Sequence, residues 1–182
     1  MHSLSRFEEV ENLYAAKGEL TYGEGVTQLE HAVQCASLAE AEGHPPSLIV
    51  AALLHDIGHL FVDEKDVTNA HSDLRHEMTG ARALSTLFDE DVCLPIARHV
   101  AAKRYLCFAD KQYFQALSTA SRTSLALQGG AFNIQQAVAF ERLSHWREAV
   151  TLRRFDDMGK RDDLCGRRFA DFRGLLKQAA KA

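Results

Sequence analysis

Four histidines and two aspartates carry the chemistry this chain can be read for. His55 and Asp56 are adjacent, at the end of the most apolar run, Ser47-Leu-Ile-Val-Ala-Ala-Leu-Leu-His55-Asp56-Ile57. A carboxylate in such a setting is costly unless it is paired, hydrogen-bonded or bound to a metal. Upstream stands His31, in Gln28-Leu-Glu-His31-Ala32; downstream come His76, in Arg75-His76-Glu77, and His99, in Ala97-Arg98-His99-Val100. A late carboxylate completes the series as either Asp156 or Asp157. Successive helical residues are rotated by about 100°, so only one of that pair can face an interior point easily. The residues alone do not choose between them. Imidazoles and carboxylates without thiolate suit iron, manganese or zinc. Six donors exceed what one tetrahedral zinc uses, and a carboxylate such as Asp56 can bridge two ions, so the count favours two metals. Any one of these histidines alone would read as a satisfied core residue; the His55-Asp56 pair taken with the other three does not. His2 and His44 read as surface residues.

These donors need helices to position them. Three prolines among 182 residues, with abundant Ala, Leu, Glu and Arg, indicate an all-α chain. Ser5-Arg6-Phe7-Glu8 has capping-box spacing and opens an amphipathic run towards Gly18. A helix over 26–42 carries His31 and stops at Gly43-His44-Pro45-Pro46. The apolar helix from Pro46 to Ile57 is predicted to be the buried centre, ended or bent by Gly58. Residues 62–72 read as a loop, with helical patterns at 73–88, 91–105, 111–127 and 134–155. A final short helix or tail follows Arg167. No repeat or linker-like shift breaks the chain, so a single domain spanning 1–182 is expected. A net charge of −4 without long basic runs argues against sequence-independent nucleic-acid binding. The longest apolar stretch, Leu48 to Leu54, is too short to cross a bilayer. Glu8, Glu9 and Glu11 stand where a signal peptide would be basic and then apolar, so a cytoplasmic location is expected. Cys35, Cys93, Cys107 and Cys165 form no C-x-x-C, which suggests neither a disulfide framework nor a thiolate zinc site. Oligomeric state stays open.

The pattern His31…His55-Asp56…Asp156 resembles the HD-domain superfamily. Four longer strings narrow the likeness: Gln28-Leu-Glu-His-Ala-Val-Gln-Cys35, Ala51-Ala-Leu-Leu-His-Asp-Ile-Gly-His59, His99-Val-Ala-Ala-Lys-Arg-Tyr105 and Arg153-Arg-Phe-Asp-Asp-Met-Gly-Lys160. Together they resemble the mixed-valent diiron oxygenases that cleave organophosphonates, the PhnZ/TmpB type, over about residues 22–160. The resemblance implies a helical bundle around two irons, Fe(II)/Fe(III), with O₂ as co-substrate. It implies that His31, His55, Asp56 and Asp156 hold one iron and His76 and His99 the other, with Asp56 bridging. It also selects Asp156 over Asp157.

Further groups lie at helical spacing from these ligands. Lys103 is four residues after His99 and shares its face; a lysine aimed at a metal site is costly unless an anion such as phosphonate or phosphate neutralises it. His59 is four residues after His55, Arg153 stands one turn before Asp156, and Ser121 and Ser124 are one turn apart. On spacing alone Lys103, Arg153, Ser121 and Ser124 also fit solvated helix positions, and His59 a residue just past the helix end at Gly58. The resemblance implies that Lys103, Arg153, His59, Ser121 and Ser124 bind the phosphonate. It implies too that Tyr22 and Glu24 form a lid, Tyr22 over the open coordination position and Glu24 beside the substrate's cationic end. The implied substrate is a small zwitterion, a 1-hydroxy-2-(amino or trimethylammonio)ethylphosphonate, converted to inorganic phosphate and glycine or glycine betaine. The main competing class is a metal-dependent phosphohydrolase of nucleotides or other phosphomonoesters, which shares His31, His55, Asp56 and a late aspartate. A metal-binding or ligand-sensing module without catalysis is a third class that nothing in the residues requires.

Overall fold

The computed structural model describes residues 3–21, 25–61, 75–160 and 166–181. Ten α-helices follow one another along them: α1 (Phe7–Lys17), α2 (Gln28–Ala41), α3 (Pro46–Leu54), α4 (His76–Leu84), α5 (Glu90–Ala109), α6 (Lys111–Ala116), α7 (Thr119–Leu127), α8 (Ile134–Glu141), α9 (Trp146–Met158) and α10 (Arg173–Ala179). Two 3₁₀ turns, Ile57–Phe61 and Phe169–Phe172, follow α3 and precede α10. The described residues contain no strand, only isolated bridges at Thr21–Thr27 and Phe88–Ala180. Among the described residues no helix is long and apolar enough to cross a membrane.

α3 is the centre. Pro46 occupies its first position, where a missing N–H costs nothing. Every residue from Leu48 to Leu54 is buried, and α2, α5, α9 and α10 pack around it. The main core joins Leu53, Leu54, Ile57 and Leu60 to Phe88, Ile96, Leu152, Phe155 and Phe172. The expectation that this helix runs to Ile57 is corrected by three residues. It stops at Leu54, and the chain turns at His55-Asp56 into the 3₁₀ segment. That segment lies against the start of α4. A Cβ on Gly58 would stand 2.0 Å from the carbonyl oxygen of His76, so only glycine lets the start of α4 sit against this turn.

Other boundaries shift for local reasons. The cap of α1 falls one residue later than its spacing suggested: Glu9 Oε2 accepts from Ser5 N at 2.8 Å and Arg6 N at 3.3 Å. The pattern over 111–127 divides at Leu117-Ser118, because Ser118 Oγ accepts from Ser121 N and caps a new helix. The pattern over 134–155 divides before Trp146, where His145 takes a left-handed φ of 54°. The expected 91–105 helix extends to Ala109 with Pro95 inside it.

Candidate metal centre

Five elements each deliver donors to one interior point. α2 begins with a capping box, Thr27 N donating to Glu30 Oε2 at 2.8 Å and Glu30 N to Thr27 Oγ1 at 3.1 Å, which fixes the turn that carries His31. The turn after α3 supplies His55 and Asp56, α4 supplies His76 as its first residue, α5 supplies His99 and α9 supplies Asp156. All four imidazoles and Asp156 are buried.

The donors form two groups that share Asp56. In the first, His31 Nε2 and His55 Nε2 are 3.2 Å apart. Asp56 Oδ2 lies 3.8 Å from His31 and 3.5 Å from His55, and Asp156 Oδ1 lies 3.4 Å and 3.9 Å from the same two nitrogens. In the second, His76 Nε2 and His99 Nε2 are 3.1 Å apart, with Asp56 Oδ1 3.4 Å and 3.6 Å away. Donors about 2.0–2.2 Å from a common ion stand about 3–4 Å from one another, and both groups meet that condition. One oxygen of Asp56 faces each group, which is the disposition of a bridging carboxylate.

Backbone carbonyls fix which nitrogen points inward. His31 Nδ1 donates to Gly159 O at 2.7 Å, His55 Nδ1 to Ala52 O at 2.9 Å and His99 Nδ1 to Ile96 O at 2.7 Å. With the proton on Nδ1, each Nε2 presents a lone pair to its neighbours. Two such lone pairs, on His31 and His55, converge at 3.2 Å in a buried site and repel unless a cation lies between them. Burial, then the neighbouring imidazoles, holds His99 well below the ordinary histidine range, and so keeps it neutral and able to coordinate. Burial pushes the Asp56 carboxyl up, but His55, His76 and His59 outweigh it and hold the group ionised. For Asp156, burial is likewise outweighed, by Arg153 and Lys160. These donors fit two ions with oxygen and imidazole ligation.

Cys35 is the residue that the search for C-x-x-C patterns passed over. Its thiol lies within 4.8 Å of donor atoms of His31 and His55, and it donates to Phe155 O at 3.4 Å. Burial pushes its pKa up, so it stays a protonated thiol beside the site rather than a thiolate within it. Gly159 leaves room for it: a Cβ there would meet Cys35 Sγ at 2.5 Å. Cys35 does stand four residues after His31 on α2, the same spacing that pointed to Lys103; nothing in the sequence points to Gly159.

Lys103 and Arg153 are close enough to influence one another's charge. Lys103 is 3% exposed, and its Nζ donates to Ser124 Oγ at 2.9 Å. Burial, then the nearby Arg153, lowers its pKa to about 8. Ser124 Oγ in turn donates to Ser121 O at 3.1 Å, and Ser121 is buried. The His59 ring stacks on His76 with centroids 3.9 Å apart. Arg153 is turned to the carboxylates of its own helix, Nη1 on Asp156 and Nη2 on Asp157. The Asp156/Asp157 ambiguity is resolved by rotation about α9: Asp156 faces the histidines, and Asp157 faces Arg153 and Tyr113. Tyr22 and Glu24 lie outside the described residues.

An all-α bundle that converges four imidazoles and two carboxylates on a buried point defines a metal-centred helical enzyme scaffold. Comparison with known proteins agrees. Residues 28–125 match the HD domain family. A Gimesia maris protein named hydroxymethylphosphonate dioxygenase is 46% identical over 145 residues, 79% of this chain and 72% of that one. A Leisingera caerulea protein named [1-hydroxy-2-(trimethylamino)ethyl]phosphonate dioxygenase (glycine-betaine-forming) is 39% identical over 160 residues, 86% of this chain and 81% of that one. The chain belongs to the HD-domain family, in its oxygenase branch.

Proposed function

We propose that this chain is an O₂-dependent diiron oxygenase that cleaves the C–P bond of a small 1-hydroxyphosphonate. The observation that carries the reading is Asp56, whose two oxygens face two separate imidazole pairs. His31, His55, Asp56 and Asp156 would hold one iron, and His76, His99 and Asp56 the other. A bound iron pair in the Fe(II)/Fe(III) state supplies one-electron and O₂ chemistry that side chains lack. The net reaction balances as R–CH(OH)–PO₃H₂ + O₂ giving R–COOH + H₃PO₄.

The protein's own part is binding and orientation. Lys103 offers a buried ammonium to the phosphonate, with the Ser124 hydroxyl against it and Ser121 buried one turn earlier on α7. His59, stacked on His76, is placed to donate to an anion next to that ligand. Arg153 adds positive charge to the same pocket while anchoring Asp156. Holding the hydroxyl-bearing carbon against the metal pair and away from bulk water is the expected source of rate and of selectivity. The two relatives differ in the group carried on that carbon. Their names give R as hydrogen and as trimethylammoniomethyl; for this chain aminomethyl is a third choice, and Glu24 would meet either cationic group.

Phosphate release from hydroxymethylphosphonate and from the 2-amino and 2-trimethylammonio compounds tests the reading, in air and under argon. Release from one of these by iron-loaded protein in air alone is expected. Undiminished release under argon, or turnover confined to phosphomonoesters with Mg²⁺ or Mn²⁺, points to a hydrolase and overturns it.

A further inference from the structure

We infer that Tyr113 and Asp157 are positioning residues that lock the Arg153 guanidinium between the anion pocket and the metal-facing Asp156. Tyr113 OH donates to Asp157 Oδ2 at 2.6 Å and accepts from Arg153 Nε at 3.0 Å. Arg153 Nε also reaches Asp157 Oδ2 at 3.2 Å, its Nη2 bonds Asp157 Oδ1, and its Nη1 bonds Asp156. One side of the guanidinium is thereby held by a tyrosine–aspartate pair, while the far nitrogen steers Asp156.

The construction of α6 supports a dedicated role. This six-residue helix buries no residue fully. Its cap, Asp110, accepts from Gln112 N and Tyr113 N, which fixes the backbone at Tyr113 itself. The Tyr113 ring packs on the small cluster of Cys107, Leu117 and Leu125. That seat aims the hydroxyl across at α9, forty residues on in the chain. α7, which follows α6 directly, carries Ser121 and Ser124. Tyr113 therefore ties the helices of the anion pocket to the helix that carries Asp156. Without the pair, Arg153 keeps its charge but loses its fixed direction. Anion affinity should then suffer more than the chemical step.

The inference rests on the proposed function for its catalytic readout, so the test carries a second, non-catalytic one. Iron-loaded wild-type, Tyr113→Phe and Asp157→Asn proteins are compared by KM and kcat on the best hydroxyphosphonate, by calorimetric binding of inorganic phosphate, and by iron content. Tyr113→Phe keeps the ring on its apolar seat and removes only the hydroxyl, so it remains informative if Asp157→Asn folds poorly. Loss of one such hydrogen bond corresponds to about a fivefold to tenfold weakening. KM and the phosphate dissociation constant should both rise by about that factor in Tyr113→Phe, and further in Asp157→Asn, with kcat within about twofold and iron content retained. Unchanged phosphate affinity in Tyr113→Phe, or a fall in kcat alone, overturns the inference. If the wild type releases no phosphate from any hydroxyphosphonate, the proposed function fails, while phosphate binding and iron content still decide the positioning role.

Discussion

Replacing Lys103 by Met should do two opposite things, and the structure sets both magnitudes. Its ammonium is 3% exposed and its pKa falls from an ordinary 10.5 to about 8. At 1.36 kcal/mol per pH unit, that difference is a cost of about 3 kcal/mol for holding the charged form there in the absence of an anion. Between pH 8 and 10.5 the unfolded chain binds a proton on this lysine that the folded chain has released. The lysine's contribution to stability is therefore least favourable below pH 8 and improves as pH rises through that window. Lys103→Met, which keeps the stem and removes the charge, should melt higher than wild type at pH 7. The gain should be about 1–3 kcal/mol, and it should shrink towards pH 10. Substrate binding should move the other way. Loss of a charge-assisted contact of about 1.5–3 kcal/mol raises KM roughly 10- to 150-fold. In wild type, kcat/KM should fall as pH passes about 8, because the free protein loses the ammonium; in Lys103→Met that limb should be absent. Thermal melts from pH 7 to 10 and phosphate-release kinetics over the same range measure both. A variant that melts below wild type at pH 7 with an unchanged KM would falsify the reasoning, since the lysine would then be an ordinary structural residue.

Other outcomes follow from the same geometry. His76→Ala should abolish turnover and leave about one iron per chain by elemental analysis; two irons and full rate would remove His76 from the ligand set. Gly58→Ala puts a Cβ 2.0 Å from the His76 carbonyl, so α4 must move and the protein should lose several kcal/mol of stability, or fail to accumulate soluble, with a wild-type melting curve as the contrary result. Gly159→Ala meets Cys35 Sγ at 2.5 Å beside the carbonyl that orients His31; Gly159→Ala,Cys35→Ala should recover iron binding that the single change loses. Loading with Fe(II) should raise the melting temperature and chelation should lower it, because an ion binding only the folded chain stabilises it by mass action.

Much of the site could be read without coordinates, because its residues break compositional expectation. A His-Asp pair closing an apolar run needs a compensating partner wherever the chain folds, and histidines at helical positions can supply one. Hence His31, His55, Asp56, His76 and His99 were legible as donors from type and place, and Lys103 from its spacing to His99. The all-α class followed in the same way from local propensity and periodicity.

Tertiary structure decided what depends on direction and close approach. It turned Asp156 inward and Asp157 towards Arg153, a choice made by rotation about α9 and by the seat of Tyr113. It split the two oxygens of Asp56 between two imidazole pairs, which no spacing encodes. It ended α3 at Leu54, laid Gly58 against the start of α4, and packed Gly159 against Cys35. Residue type states what a side chain can donate or accept. Only packing between segments remote in the chain sets where its atoms point, and coordination depends on that to within tenths of an ångström.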